Sequence, residues 1–230
     1  MAKHIPRIYC ENIESGDFKL PGYQVNHVGR VLRVREGDEF LAFNKADGEW
    51  LCKIKQITKG CITANRIRCK RQYTEFRRVA LGICQIKTEN MKLVIEKCTE
   101  CGASDFYLLD SEYTNYSNNI DKLRRIAILA SEQSERLDIP ELHKAQPLTL
   151  FAENLPVEYT WYTALERAPN AQQGVEITKC DVGFIIGPEG GFSDQEREIL
   201  YAKTTPLTLS RNVLRSETAA TLCTAIAGML

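Results

Sequence analysis

The stretch FIIGPEGGFSDQEREILYAK (184–203) decides the fold of this chain. Its first residues form an apolar run that is typical of a buried strand. Ser193, with Glu196 three residues later, has the spacing of a capping box and so predicts the start of a helix. A buried strand that leads directly into a helix is the repeating unit of a parallel sheet covered by helices, and it predicts an α/β domain.

The turn between this strand and this helix is unusually rich in glycine. Gly187, Gly190 and Gly191 lack a Cβ, so the backbone can bend sharply here and approach a ligand closely. In open α/β sheets, ligands bind beyond the carboxyl ends of strands, which is where this turn stands. No Gly-Lys-Ser/Thr follows, as it would in a phosphate-binding P-loop, so a nucleotide-hydrolysing switch is disfavoured.

Apolar strands and helices alternate from Val79 to the end of the chain, which favours a mostly parallel sheet covered on both faces. The predicted strands lie at 79–86, 106–110, 148–151, 159–165, 182–187 and 207–209, and the predicted helices at 88–102, 118–137, 193–203 and 216–230.

The first part of the chain has a different pattern. Residues 38–43, 50–57 and 61–68 alternate apolar and polar side chains, with turn residues between them, and they predict a small β-barrel. We place the boundary in the basic segment that follows, which gives a β-rich domain at 1–72 and an α/β domain at 73–230.

Charge is distributed unevenly between these two parts. Residues 1–80 hold 16 Lys and Arg against 9 Asp and Glu, whereas residues 81–230 hold 14 against 21. A basic first third indicates contact with a polyanion such as RNA. Two ordinary solvated surfaces of opposite sign are the alternative.

Composition also excludes some classes. The first residues do not contain the apolar segment of a secretory signal. No apolar run approaches the roughly 18 residues that are needed to cross a bilayer. We therefore expect a cytosolic protein that does not associate with a membrane. Nine scattered cysteines then indicate reduced thiols. Cys98 and Cys101 form a CxxC without a second ligand pair, so no metal site is predicted.

A second motif, LTLSRNVLRSETAA (207–220), also joins a predicted strand to a predicted helix. Its backbone and apolar groups suit an adenine and its ribose, and Arg215 suits a phosphate or a developing negative charge. A surface loop with an ion pair between Arg215 and Glu217 is the alternative.

Together the two motifs resemble the SPOUT-class RNA methyltransferases, and within that class the RsmE family, which methylates N3 of a uracil in small-subunit ribosomal RNA. IGPEGGFS (186–193) and VLRSETA (213–219) match that family's two signatures closely. HVGRVLRVREGD (27–38) and RIAILASEQSERLDIP (125–140) resemble two further segments, so the likeness runs along most of the chain. The sequence departs from the family where Ser210 replaces the usual Gly and Asn212 the usual Arg.

The resemblance implies the fold, the cofactor and the partners. The expected fold is a PUA-like β-barrel followed by a SPOUT-type parallel sheet with a C-terminal trefoil knot. The expected cofactor is S-adenosyl-L-methionine, and the expected partners are 16S rRNA in the small ribosomal subunit and a second copy of the chain in a homodimer. Expected cofactor contacts are Leu165, Gly187, Gly190, Gly191, Leu209, Ser210, Asn212, Val213 and Leu214.

Three residues in the two motifs are candidates for catalysis. The N3–H of uracil must lose its proton, which requires a base or donors that stabilise the uracil anion. Glu189 is the candidate that offsets the sulfonium charge, and Arg215 is the candidate anion stabiliser. Glu217 is a candidate base or the residue that orients Arg215, and a carboxylate that only stabilises a helix N-terminus is the alternative.

In the basic domain, His27, Arg30 and Arg33 are the expected RNA contacts, the two arginines through phosphates. Two alternatives to uracil-N3 methylation stay open. One is a SPOUT methyltransferase that acts on another RNA atom, such as a ribose 2′-OH or a transfer RNA base. The other is a non-catalytic RNA-binding factor in ribosome assembly.

Overall fold

The computed structural model describes residues 5–20, 22, 25, 34–165, 172–173 and 181–229. The predicted RNA contacts His27, Arg30 and Arg33 lie outside these residues. The chain divides into two compact units. Met1–Glu75 and Ser131–Ile139 form the first unit, and Phe76–Ala130 and Pro140–Leu230 form the second. The predicted functional division at residue 72 stays a prediction, because the first unit also contains a segment from much later in the chain.

The first unit contains a five-stranded sheet. Its strands are β1 (Arg7–Tyr9), β2 (Asp17–Lys19), β3 (Glu39–Asn44), β4 (Gly48–Thr58) and β5 (Cys61–Arg71). Their order in the sheet is β1-β3-β4-β5-β2, and all pairs are antiparallel except β1 with β3. No pairing of the outer strands β1 and β2 is found among the described residues, so closure into a barrel stays a prediction.

The rest of the chain supplies seven further described strands and five helices. They are β6 (Val79–Cys84), α1 (Thr88–Glu100), β7 (Asp105–Asp110), α2 (Ile120–Gln133), β8 (Glu141–Pro147), α3 (Leu148–Glu153), β9 (Thr160–Ala164), β10 (Gln172–Gln173), β11 (Val182–Ile186), α4 (Asp194–Lys203), β12 (Thr205–Thr208) and α5 (Ser216–Gly228). None of the described helices is long and apolar enough to cross a membrane.

The seven strands form one sheet in the order β10-β12-β9-β11-β6-β7-β8, and every neighbouring pair is parallel. Their carboxyl ends therefore meet at one edge. Helices α1, α4 and α5 each begin a few residues after a strand ends, so their N-termini lie toward that edge. Helices α1 and α5 pack against each other, and Cys98 of α1 and Thr224 of α5 are both buried.

One predicted strand is wrong. Residues 148–151 were expected as a strand because they are mostly apolar, but they belong to helix α3. Leu148, Phe151 and Ala152 are buried on one side of this helix. A run of only four residues does not have enough periodicity to distinguish a strand from one turn of helix, so packing decides. The strands β1, β2, β8 and β10 were not predicted.

The trefoil knot also stays a prediction. It depends on the path of the chain between β9 and β11, and of residues 166–180 the structure describes only Gln172–Gln173. The parallel pairing of β9 with both β11 and β12 is described in full and agrees with a sheet of the predicted type.

In the first unit, Arg7 connects the sheet to the end of α2. Its guanidinium donates to the backbone oxygens of Ser131, Glu132 and Arg136 at 2.8–3.0 Å and to Glu49 Oε1 at 2.8 Å. Backbone carbonyls at a helix C-terminus carry partial negative charge, so a buried cation stabilises them. This contact explains why Ser131–Ile139 groups with the first unit.

At the amino-terminal edge of the parallel sheet, the buried carboxylate of Asp105 forms three hydrogen bonds. Its partners are Arg78 Nη2 at 2.9 Å, the Tyr159 hydroxyl at 2.7 Å and His143 Nε2 at 3.2 Å. Burial acts to raise the pKa of Asp105, but these hydrogen bonds outweigh it and hold the pKa below its ordinary value. Asp105 therefore contributes stability as a carboxylate.

We predict that Asp105→Asn lowers the free energy of unfolding by about 1.5–3 kcal/mol at pH 7, since hydrogen bonds to a charged group are worth about that much. The pKa of Asp105 is lowered by folding, so its contribution is present above the unfolded-state pKa of about 3.9 and is lost as pH falls further. Urea unfolding of wild type and variant from pH 7 to pH 3 measures this difference. Asp17→Asn, at a half-exposed pair with Lys55, is the control and should change stability little. A constant difference across this pH range would contradict the assignment.

Candidate active site

A cavity of about 550 Å³ lies at the carboxyl ends of β9, β11 and β12. This volume falls in the range of about 300–1,000 Å³ that small-molecule sites occupy. Most of its wall comes from the two segments that the sequence singles out, residues 186–192 and 207–219. The parallel sheet brings them together because both segments follow neighbouring strands at the same edge.

The structure places every predicted catalytic and cofactor-binding residue in the wall of this cavity. These residues are Leu165, Gly187, Glu189, Gly190, Gly191, Leu209, Ser210, Asn212, Val213, Leu214, Arg215 and Glu217. Their individual roles stay predictions. Arg211, in the same loop, does not line the cavity.

The glycine-rich turn has the geometry for which glycine is needed. The Gly191 N–H donates to the oxygen of Pro188 at 2.9 Å, and Gly191 has φ +72°. A side chain at that φ is strained, so the turn requires glycine there. The predicted capping box is confirmed, since Ser193 accepts from the Glu196 N–H and Glu196 accepts from the Ser193 N–H.

A single hydrogen bond joins the two segments. The buried hydroxyl of Ser216, the first residue of α5, donates to the oxygen of Gly187 at 2.7 Å. It fixes the start of α5 against the glycine-rich turn.

Ser210 and Asn212, which depart from the family pattern, contact each other. The hydroxyl of Ser210 accepts from the Asn212 N–H at 3.1 Å, a local turn that a glycine at 210 would lack. Ser210 thus gives the 209–214 loop a constraint of its own. The side chain of Asn212 is exposed, and the positive charge that the family usually has there is absent.

Arg215 and Glu217 are both available for a ligand. The side chain of Arg215 is exposed, and in the described part of the chain it forms no ion pair with Glu217. The expected alternative of a simple surface ion pair is therefore not found there. Glu217 Oε2 is buried and has no hydrogen-bond partner among the described residues. A buried carboxylate oxygen without a partner is costly, and a bound ligand can supply the missing donor.

Sequence reasoning missed some residues of the cavity wall. Asn90, in the first turn of α1, lines the cavity, and its carboxamide forms no hydrogen bond with any residue that the structure describes. Arg197 lines it as well and donates from Nε to the oxygen of Phe192 at 3.1 Å. The position of Asn90, just after β6 at the ligand-binding edge, could have indicated that it lines the cavity. The inward position of Arg197 was not visible from sequence.

One group of possible metal ligands occurs in the described residues. Carboxylate oxygens of Asp105 and Glu141 and a ring nitrogen of His143 lie within 4.8 Å of one another. Because the Arg78 guanidinium is 2.9 Å from Asp105, the carboxylate already has a cationic partner. The group begins strands β7 and β8, so it lies at the opposite edge of the sheet from the cavity. We do not assign it a metal.

Comparison with known sequences matches both parts of the chain. A family model described as an RNA methyltransferase domain matches residues 74–228, and one described as an RNA methyltransferase PUA domain matches residues 20–65. Ribosomal RNA small subunit methyltransferase E of Rickettsia conorii is 32% identical over 223 residues, which cover 93% of this chain and 91% of that protein. The protein of the same name from Mesomycoplasma hyopneumoniae is 32% identical over 226 residues and covers 93% of this chain.

Comparison with solved structures gives the same fold. A protein of Legionella pneumophila, solved in complex with bound SAM, superposes with a TM-score of 0.89 at 27% identity, over 99% of this chain and 98% of that one. Ribosomal RNA small subunit methyltransferase E of Neisseria gonorrhoeae superposes with a TM-score of 0.88 at 24% identity, over 97% and 96% of the two chains. The predicted SPOUT-type α/β fold with a PUA-like N-terminal domain is confirmed.

We predict that Ser216→Ala lowers the free energy of unfolding by about 0.5–1.5 kcal/mol, the usual net worth of one hydrogen bond, and loosens the glycine-rich turn. Urea unfolding measures the stability, and hydrogen exchange at residues 187–193 measures the loosening. Ser15→Ala, at an exposed serine of the first unit, is the matched control. Unchanged exchange at the turn in Ser216→Ala would show that this hydrogen bond does not hold the cavity wall.

Proposed function

Because the chain belongs to the RNA methyltransferase family, with Ribosomal RNA small subunit methyltransferase E among its relatives, we propose that it transfers a methyl group from S-adenosyl-L-methionine to N3 of a uridine in 16S rRNA. The observation that carries this proposal is the cavity at the carboxyl ends of β9, β11 and β12, which gathers both motifs in one wall. The bound SAM of the Legionella pneumophila protein supports the choice of cofactor.

The wall of the cavity fits S-adenosyl-L-methionine in size and in chemistry. Leu165, Leu209, Val213 and Leu214 offer an apolar surface for the adenine, and the glycine-rich turn lets backbone groups approach the polar parts. When bound, the cofactor supplies a methyl group on a sulfonium, which needs no metal for its transfer. The carboxylate of Glu189 in the same wall offsets the positive charge of that sulfonium.

The reaction requires that the proton on uracil N3 leave as the new bond forms. Arg215 stabilises the negative charge that develops on the uracil carbonyl oxygens, since it carries a fixed charge at the rim of the cavity. Asn90 adds two amide donors at the N-terminus of α1, where the helix dipole also favours negative charge. The unpartnered Glu217 Oε2 accepts the N3 proton or orients the base by a hydrogen bond.

The first domain, residues 1–72, binds the RNA backbone in this proposal, and residues 73–230 carry out catalysis. The excess of positive charge in residues 1–80 supports this division. His27, Arg30 and Arg33 remain the proposed RNA contacts. We propose in addition that the enzyme is a cytoplasmic homodimer and acts on the small ribosomal subunit.

The direct test of this function is analysis of the modified nucleoside. The purified chain is incubated with small ribosomal subunits and cofactor that carries an isotopically labelled methyl group, and the digested RNA is examined by mass spectrometry. The proposal expects label in 3-methyluridine. Label in a 2′-O-methyl nucleoside would identify a different RNA methyltransferase activity, and RNA binding without label would favour a non-catalytic factor.

We predict that Gly191→Val abolishes measurable binding of S-adenosyl-L-methionine, because the side chain strains a residue at φ +72° in the cavity wall. Isothermal titration calorimetry measures the affinity. Gly60→Val is the matched control, since Gly60 has φ +94° in a hairpin of the first unit and open space around it. The control should lose stability but keep its cofactor affinity. Normal affinity in Gly191→Val would exclude this turn from the cofactor site.

We predict that Arg215→Ala binds RNA and cofactor almost normally but reacts about 10²–10³-fold more slowly, the loss that follows removal of one donor to a developing anion. Single-turnover rates with saturating RNA measure this step. Arg211→Ala is the control, because Arg211 is four residues away and does not line the cavity. If RNA affinity falls as much as the rate does, Arg215 contributes to RNA binding and does not specifically stabilise the transition state.

Glu217→Gln, in the same rate measurements over pH, separates two roles of Glu217. If Glu217 takes the proton, the wild-type rate falls at low pH and the variant loses that dependence. If Glu217 only stabilises the N-terminus of α5 through its interaction with the helix dipole, the variant loses well under about 1 kcal/mol of stability and keeps its pH profile.

A further inference from the structure

The loop between β7 and α2, residues 111–119, lies directly against the glycine-rich turn of the cavity. A Cβ placed on Gly190 would be 3.0 Å from the Cβ of Tyr113 and 3.6 Å from its Cγ. Gly190 lines the cavity, so the Tyr113 side chain stands immediately behind the cavity wall. The loop is thus adjacent to the site where the target base is modified.

One buried carboxylate holds the loop and the turn together. Glu196 Oε2 accepts the Ser193 N–H at 2.9 Å, which caps α4, and Glu196 Oε1 accepts the Glu112 N–H at 2.8 Å, which fixes the loop. Glu196 is 5% exposed, so neither hydrogen bond competes freely with water. The other end of the loop is fixed by the Asn118 N–H, which donates to Gln85 Oε1 at 2.6 Å.

This fixed loop presents two aromatic rings to solvent. Tyr113 is 48% exposed and Tyr116 is 45% exposed, although both belong to a loop that is anchored at both ends. An exposed aromatic ring costs hydrophobic free energy unless a partner covers it. Because the loop backbone is anchored at both ends, less conformational entropy is lost when a flat partner stacks on a ring of this loop.

Exposed cations follow the two rings along the chain. Lys122, Arg124 and Arg125 lie in the first turns of α2, are exposed, and have no ion-pair partner in the described part of the chain. They outnumber the acidic residues of the same segment, Glu112 and Asp121. Aromatic rings for stacking next to cations for phosphates are the combination that binds single-stranded nucleic acid without sequence preference.

We propose that Tyr113, Tyr116, Lys122, Arg124 and Arg125 form a second RNA-binding surface, which we call the Tyr113 surface, on the catalytic unit. Unpaired bases beside the methylated uridine stack on the two rings, and the three cations bind the phosphates that follow. Glu196 is a positioning residue, which holds the loop that carries the two rings next to the cavity. The proposal rests on the proposed RNA methyltransferase activity and adds a contact outside the basic first domain.

The first test is Tyr113→Leu, which keeps an apolar side chain but removes the ring. A stacked base contributes enough that RNA affinity should fall about 5- to 150-fold, while cofactor affinity stays unchanged. Tyr113→Phe should keep the affinity because it keeps the ring. Tyr201→Leu is the matched control, since Tyr201 on α4 is similarly exposed and lies outside the surface.

The second test concerns Glu196. Glu196→Gln has one carbonyl oxygen in place of two carboxylate oxygens, so it cannot accept both N–H groups as strongly. The KM for RNA should rise several-fold, and by a larger factor than the dissociation constant for S-adenosyl-L-methionine. Glu198→Gln, at an exposed position of the same helix, should change none of these quantities. An equal fall in cofactor affinity and RNA affinity would show that Glu196 only stabilises the fold.

The third test uses salt. If Lys122 and Arg125 each neutralise one phosphate of a single strand, the double variant Lys122→Ala/Arg125→Ala should make the slope of log affinity against log salt shallower by about 1.4. Lys203→Ala, at the end of α4, should leave the slope unchanged.

The outcomes separate this proposal from the proposed function. If wild type methylates RNA and Tyr113→Leu binds RNA normally, the Tyr113 surface is overturned while the activity stands. If wild type binds RNA but forms no methylated nucleoside, the activity fails and the binding tests still decide on the surface. Sedimentation analysis accompanies each variant. A change of oligomeric state in Tyr113→Leu with normal RNA affinity would assign these rings to a subunit interface and overturn the proposal.

Discussion

All seven described strands of the second sheet run in one direction, and the candidate site depends on this constraint. Parallel pairing brings the carboxyl ends of β9, β11 and β12 to one edge, so the segments that follow these strands meet there. The helices that return along the sheet begin near the same edge and direct the positive ends of their dipoles toward it. The edge therefore favours negative charge before any charged side chain is considered, which suits the anion that develops in the proposed reaction.

A few buried hydrogen bonds hold the segments at this edge in place, so that they form a defined cavity. Ser216 ties α5 to the oxygen of Gly187, and Glu196 ties α4 and the 111–119 loop to the same turn. Because these groups are buried, their hydrogen bonds do not exchange readily with water, and the wall needs little rearrangement to bind a ligand. Among the described residues of the wall, Glu217 Oε2 is the one buried side-chain acceptor without a partner, at a place where a substrate can satisfy it.

In the first unit, Arg7 links the N-terminal sheet to a segment from much later in the chain. Residues Ser131–Ile139 are distant in sequence from the N-terminal sheet, yet they group with it through the guanidinium of Arg7. A cation at the C-terminus of α2 satisfies carbonyls that the helix itself leaves unpaired. The RIAILASEQSERLDIP segment, which carries part of the family resemblance, therefore includes residues with a structural role in the first unit. Its match to the family does not by itself indicate a role in catalysis.

Local patterns in the sequence predicted the α/β class, most of the strands and helices of the second unit, and the segments 186–192 and 207–219 of the cavity wall. These features have local causes, such as apolar runs, a capping box and glycines in a turn. That residues 148–153 form a helix depends on tertiary packing, because the short LTLF run has no decisive periodicity and the helix buries Leu148, Phe151 and Ala152. The tertiary structure alone placed Asn90 in the cavity and joined Glu196 to Glu112, because these contacts link residues distant in sequence, and no local pattern encodes such distances.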